Sequence, residues 1–148
     1  MQGDTRGTQP QSAQETLPRA VRVAVVRHER AEGGDHLDLF VGPRGAAIDA
    51  PVARSWRLPL EAWTSEGLAA GRFAAIPTPA HRAEYLDLRH PRELSEGRGL
   101  VVPLAAGDGD AAVDGTLNAL GCTLRFSLDD GGNPVVEIAN HLPRSTCP

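Results

Sequence analysis

Short runs that alternate apolar and polar side chains, cut at regular intervals by glycine and proline, constrain this chain more than any other feature. In Thr123–Leu128, the side chains of Leu124, Phe126 and Leu128 face one way and those of Thr123, Arg125 and Ser127 the other. That is the period of a strand with one buried face. Asp129-Asp130-Gly131-Gly132-Asn133-Pro134 interrupts it, and Val135 to Ala139 alternates again, so the two runs read as a hairpin. Val21, Val23 and Val25 alternate with Arg22 and Ala24 in a strand ending near His28. After a glycine-bearing loop, His36 to Val41 reads as the next strand, turned by Gly42-Pro43-Arg44-Gly45. Arg54 to Leu58 reads as another, stopped by Pro59. Many short strands with little helical periodicity predict a mainly β, antiparallel fold, either barrel or sandwich.

The middle of the chain is less regular. Phe73 to Ile76 reads as a short strand, and Pro77-Thr78-Pro79 requires extended chain leading into His81. His81 and Tyr85 share a face if that segment makes a helical turn. Ser95-Glu96-Gly97-Arg98-Gly99 reads as a loop feeding the apolar run Leu100 to Leu104. Met1 to Pro18 is polar and rich in Gln, Thr, Gly and Ser, the composition of a disordered tail. The remainder, 19–148, is long enough to bury one core and reads as one domain.

Charge narrows the function classes. All 15 basic residues are arginine, against 19 acidic ones, for a formal charge of −4. A bulk basic field for nucleic acid is therefore absent, and any phosphate contact must be local. Cys122 and Cys147 lack metal-type spacing and are compatible with one disulfide or two thiols. No apolar run reaches the length of a membrane span and no signal-peptide core is evident, so the expectation is a soluble, cytoplasmic protein with no membrane contact.

Three of the five histidines, His28, His36 and His81, fall in the first 85 positions together with Asp38 and Tyr85. His36 and Asp38 are two apart on a strand and so share one face. Imidazoles with a carboxylate can hold one divalent ion and leave coordination positions open for a substrate. Each residue taken singly has an ordinary reading: a capped histidine at a strand end for His28, a solvent-facing pair for His36 and Asp38. Trp56 reads as core, Trp63 as core or surface, and His90 and His141 as surface residues. Gly97-Arg98-Gly99 reads as a tight turn. Asp108-Gly109-Asp110 reads as a solvated turn, because nothing downstream completes a calcium loop.

Five segments occur in an order that resembles one known module. They are Val26-Arg27-His28, His36-Leu37-Asp38-Leu39, Ser55-Trp56-Arg57-Leu58-Pro59, His81-Arg82-Ala83-Glu84-Tyr85-Leu86-Asp87 and Ser95-Glu96-Gly97-Arg98-Gly99. Over roughly Val21 to Leu128 the chain is similar to the 3′-phosphoesterase domain family of bacterial DNA ligase D, which also exists as free-standing proteins. The resemblance implies a compact antiparallel β-barrel with short helical segments. It also implies a divalent metal, typically manganese, with zinc chemically acceptable to the same ligands. The implied activity is metal-dependent trimming of a 3′-phosphate or 3′-ribonucleotide from DNA ends in repair. The implied partners are nucleic-acid 3′ ends and a DNA ligase or polymerase.

By position, the resemblance makes His28, Asp38 and His81 metal ligands, and His36 and Tyr85 the contacts to the phosphate under attack. Three departures stand out. Phe40 occupies the place of an arginine that clamps phosphate in the ligase-linked enzymes, leaving Arg57 and Arg98 as the substrate-binding cations that would compensate. The loop between His28 and His36 is longer than usual. Beyond Gly99 an expected Trp-Asp pair is replaced by Val102-Pro103-Leu104. A non-catalytic module of the same fold, binding a nucleic-acid end or a protein, is the alternative expectation.

Overall fold

The computed structural model describes residues 19–45, 53–81 and 83–141; the side chains of Ala53, Ala80 and His81 are also outside the described set. The polar segment Met1 to Pro18 and Cys147 lie outside the described residues.

Valine-rich alternation builds the centre of the fold. β1 (Ala20–Glu29) pairs antiparallel with β2 (His36–Pro43) in a register that puts Val23 opposite Val41, Val25 opposite Leu39 and His28 opposite His36. β-branched residues suit such a pleated, buried surface. On the far side of β1 lies β9 (Leu100–Ala111), and on the far side of β2 lies β3 (Ala53–Leu58), followed by β7 (Ile76–His81). β10 (Leu117–Ala119), β11 (Cys122–Leu128), β12 (Pro134–Asn140) and β6 (Gly71–Ala74) extend the other arm. β8 (Arg92–Glu93) adds to β9, and the two-residue strands β4 (Trp63–Thr64) and β5 (Gly67–Leu68) pair with each other.

The sheet is mainly antiparallel, as the alternation predicts, but among the described residues its strands do not close into a barrel by pairing. Its ends are β6 and β7, which pair with β12 and β3 and not with each other, although only Ala75 separates them in sequence. The two arms nevertheless face one another: Trp56 on β3 stacks on Phe126 of β11 at 4.2 Å between ring centres. Both rings join the core formed by Val21, Val23, Val25, Leu39, Leu117 and Val136.

β2 differs from an amphipathic strand because both of its faces are covered. Leu37, Leu39 and Val41 enter the main core, whereas Phe40 enters a second cluster with Ala24, Val26, Ala83, Leu86 and Val101. The covering piece is the segment after β7, which contains the 3-10 turn Ala83–Asp87. Tyr85 therefore sits on a 3-10 turn while His81 ends a strand. The condition for the two to share a face, one helical turn that includes both, is not met, because His81 still belongs to the strand.

Asp108-Gly109-Asp110 is part of β9 and not a turn. A Cβ on Gly109 would collide with the Asn118 carbonyl oxygen, so glycine here permits close approach of two strands, a use that makes it look like a turn residue in sequence. Asp108 is held from β1 by Arg22. Pro77 and Pro79 fall in edge strand β7, where a missing N–H is tolerated. Trp63 is half-buried against the core, and His90 is exposed. His141 is exposed and lies 2.6 Å from the Thr123 hydroxyl. Cys122 is buried, the Asn140 amide donates to its sulfur, and burial pushes its thiol pKa up. Among the described residues no helix is long and apolar enough to cross a membrane.

Candidate metal centre

The β1–β2 register brings three chemistry-bearing side chains to one face. His28 and His36 are directly opposite, and Asp38 lies one face-sharing step further along β2. His28 Nδ1 is 3.6 Å from Asp38 Oδ2, and His36 Nε2 is 3.3 Å from Asp38 Oδ1. The imidazoles meet edge to face with ring centres 5.0 Å apart. One ligand atom from each of the three lies within 4.8 Å of the others.

The outer nitrogens set the tautomers. His28 Nε2 donates to the Arg98 carbonyl at 2.8 Å, and His36 Nδ1 donates to the Gly34 carbonyl at 3.1 Å. A carbonyl can only accept, so each proton is committed outward. In the neutral rings the inner nitrogens then carry lone pairs, and both face the Asp38 carboxylate. His36 Nε2 is buried and has no hydrogen-bond partner despite its proximity to that carboxylate. A buried acceptor aimed at an anion is unfavourable unless something positive lies between them. A divalent ion answers that need, and backbone carbonyls holding the second ring nitrogen are the usual support for ligating histidines. The donor set of two nitrogens and a carboxylate fits such an ion.

Burial helps to hold the arrangement. His36 is 5% exposed and Asp38 is 9% exposed, although each belongs to a residue type that usually faces water. The Gly-Arg-Gly segment serves through its backbone. Gly99 has φ +108, and a Cβ there would collide with the Glu29 carbonyl oxygen and lie 3.1 Å from His28 Nε2. The Arg98 guanidinium turns away to the carbonyl and hydroxyl of Ser95. It is the carbonyl of Arg98, not its charge, that reaches the centre.

Phe40 follows Asp38 by two positions on the same face and is 2% exposed. Its ring stacks on Tyr85 at 5.4 Å, and the Arg92 guanidinium lies 5.6 Å from the Tyr85 ring centre. Arg92 is also bonded to Glu84, which raises its pKa above the ordinary value. Tyr85 thus packs against both an aromatic ring and a cation. Nothing in the sequence marked Arg92 for that place; its role depends on how β8 docks.

Of the expected site residues, His28, His36 and Asp38 come together, Tyr85 stacks on Phe40, and Arg57 is opposite Asp38 on β3. The side chain of His81 lies outside the described residues. The geometry groups His36 with His28 and Asp38 in the candidate ligand set. A groove of about 570 Å³ lined by Arg22, Pro43, Leu86, Leu88 and Pro91 lies against the 83–92 segment, and none of the three cluster residues lines it.

No family model matches the chain, and no curated protein matches it either.

Proposed function

We propose that the chain is a metal-dependent phosphoesterase that removes a 3′-phosphate or 3′-ribonucleotide from nucleic-acid ends. The observation that carries this reading is the buried His36 Nε2, which has no hydrogen-bond partner and faces Asp38 while the opposite nitrogen is tied to the Gly34 carbonyl. His28, His36 and Asp38 hold the ion, manganese or zinc. His81, placed at the end of β7, is the further ligand that the family resemblance implies. When bound, the ion supplies Lewis acidity towards a phosphate oxygen and makes water easier to deprotonate at neutral pH.

The protein's own groups do the rest. The Arg98 and Gly34 carbonyls orient the imidazoles. The Tyr85 hydroxyl, steadied by Phe40 and Arg92, donates a hydrogen bond to a non-bridging phosphate oxygen. The same reading takes the curled sheet as a compact barrel with its seam between β6 and β7, and takes a DNA ligase or polymerase as the partner recruited by contact.

The test is incubation of the purified chain with manganese and a primer-template ending in a 3′-phosphate or one ribonucleotide. Trimming is expected from wild type and from His90→Ala, and neither from His28→Ala nor from Asp38→Ala. Metal binding without trimming by wild type would overturn the enzymatic reading. It would favour a non-catalytic module that recognises a nucleic-acid end or a protein, the reading to which the apolar, fully packed Phe40 lends weight.

A further inference from the structure

On β3 the residue opposite Asp38 is Arg57, so its side chain leaves the sheet on the face that bears His36 and Asp38. Its Nη1 lies 3.9 Å from where a Cβ on Gly33 would stand. Gly33 belongs to the loop whose Gly34 carbonyl holds His36. The exposed guanidinium therefore runs beside the cluster, from the Asp38 rung towards the loop ahead of His36.

Other arginines near this end of the sheet are already engaged. Arg27 is bonded to Glu29, Arg30 to Glu93, Arg92 to Glu84 and Arg98 to Ser95. Arg57 has no hydrogen bond or ion pair with any described residue. The ion-pair contacts of Asp38 with described side chains run to the two histidines and not to Arg57. A planar donor fork beside a candidate metal centre, with no bond to a described residue, is suited to an external oxyanion.

We propose that Arg57 is the anion clamp of this site and that it selects a terminal phosphate monoester over a diester. The inference rests on the metal-dependent reading above. A divalent ion, the Asp38 carboxylate and the Arg57 guanidinium leave an excess of two positive charges. That excess matches a phosphate monoester, which is close to a dianion at neutral pH because its second pKa is about 6. A diester carries a single negative charge and leaves the centre under-neutralised. The preferred substrate is then a 3′-phosphate, and a 3′-ribonucleotide, joined through a diester, is the poorer one.

Calorimetry on the full chain tests this without turnover. Manganese is titrated first, and methyl phosphate or dimethyl phosphate is then titrated into the loaded protein. Wild type is expected to bind methyl phosphate the more tightly. Arg57→Gln should keep its manganese affinity and lose methyl phosphate affinity by about 10–100-fold, the worth of a charge-assisted bidentate contact. Arg57→Lys should recover part of that loss, and Arg125→Gln, on the other arm of the sheet, should match wild type. Equal methyl phosphate affinity in wild type and Arg57→Gln, or equal affinity of wild type for the two esters, overturns the proposal while the metal centre stands. No manganese binding by wild type overturns the metal reading and this inference with it.

Discussion

His36 and Asp38 stand two residues apart on β2 with Nε2 of the one 3.3 Å from Oδ1 of the other, yet no hydrogen bond joins them. The proton that would make that bond is committed to the Gly34 carbonyl on the opposite edge of the ring. With the ring neutral, a cation between the two would satisfy both groups.

Divalent metal should stabilise the folded chain. A ligand that binds only the native state at a hundred times its Kd adds about 2.7 kcal/mol. Manganese or zinc is expected to raise the melting temperature of wild type, with reversal by a chelator. Asp38→Asn should abolish the shift, since an amide supplies no charge to the ion. Thermal unfolding with and without metal reads the difference, and an equal shift in both proteins would remove Asp38 from the ligand set.

Gly99 is expected to be irreplaceable for local reasons. Its φ is +108, and the Glu29 carbonyl stands in the way of any methyl group placed there, so Gly99→Ala should cost at least about 1–3 kcal/mol from backbone strain. It should also weaken metal binding, because the new methyl presses on His28 Nε2. Gly97→Ala, at φ +70 with open space around it, should carry only the backbone cost and spare the metal. Urea unfolding and metal titration of both variants make the comparison.

Phe40 should matter for stability and for Tyr85 together. Truncating a fully buried phenylalanine typically costs about 3–5 kcal/mol, and Phe40→Ala should also release one face of the Tyr85 ring. Tyr85→Phe keeps the stacking and removes the hydroxyl, so it should cost much less stability than Phe40→Ala. If trimming is present, that variant should lower kcat by about 10²-fold, the order seen when one donor to a developing oxyanion is lost. Unfolding curves beside kinetics separate the two effects.

Acid should weaken one tie across the covered face. Arg22, 2.8 Å from Asp87, holds the Asp87 carboxyl below its ordinary value of 3.8. A carboxylate with a depressed folded pKa contributes stability that is present above its unfolded pKa and is lost as pH falls through the folded one. Asp87→Asn should therefore be less stable than wild type near neutrality, modestly because the pair is partly exposed. The gap should close as pH falls below about 4. Urea unfolding over that range checks the sign.

Elements with strict alternation were legible from residues alone. Leu124, Phe126, Val136 and their neighbours form the β11–β12 hairpin, and Val21 to Val25 form the core strand, because a period of two leaves little choice of face. β9 was legible only as far as Leu104, since Gly107 and Gly109 carry no side chain to report the period. Its register also shifts between Val25 and Val26 of β1, next to Pro103, and no local pattern announces such a shift.

The candidate site divides along the same line. Sequence by itself determined that His36 and Asp38 share a face, because neighbours at i and i+2 on a strand must do so. It also supplied the glycine loops that let the backbone approach His28 and His36. Only the tertiary structure decided that His28 stands opposite His36, that the Arg98 carbonyl and not its guanidinium meets His28, and that Arg57 is opposite Asp38 without an ion-pair partner among the described residues. Those relationships depend on strand register and on which segment covers the outer face of β2. Both are set by the burial of many distant apolar side chains at once, and no short stretch of sequence contains them.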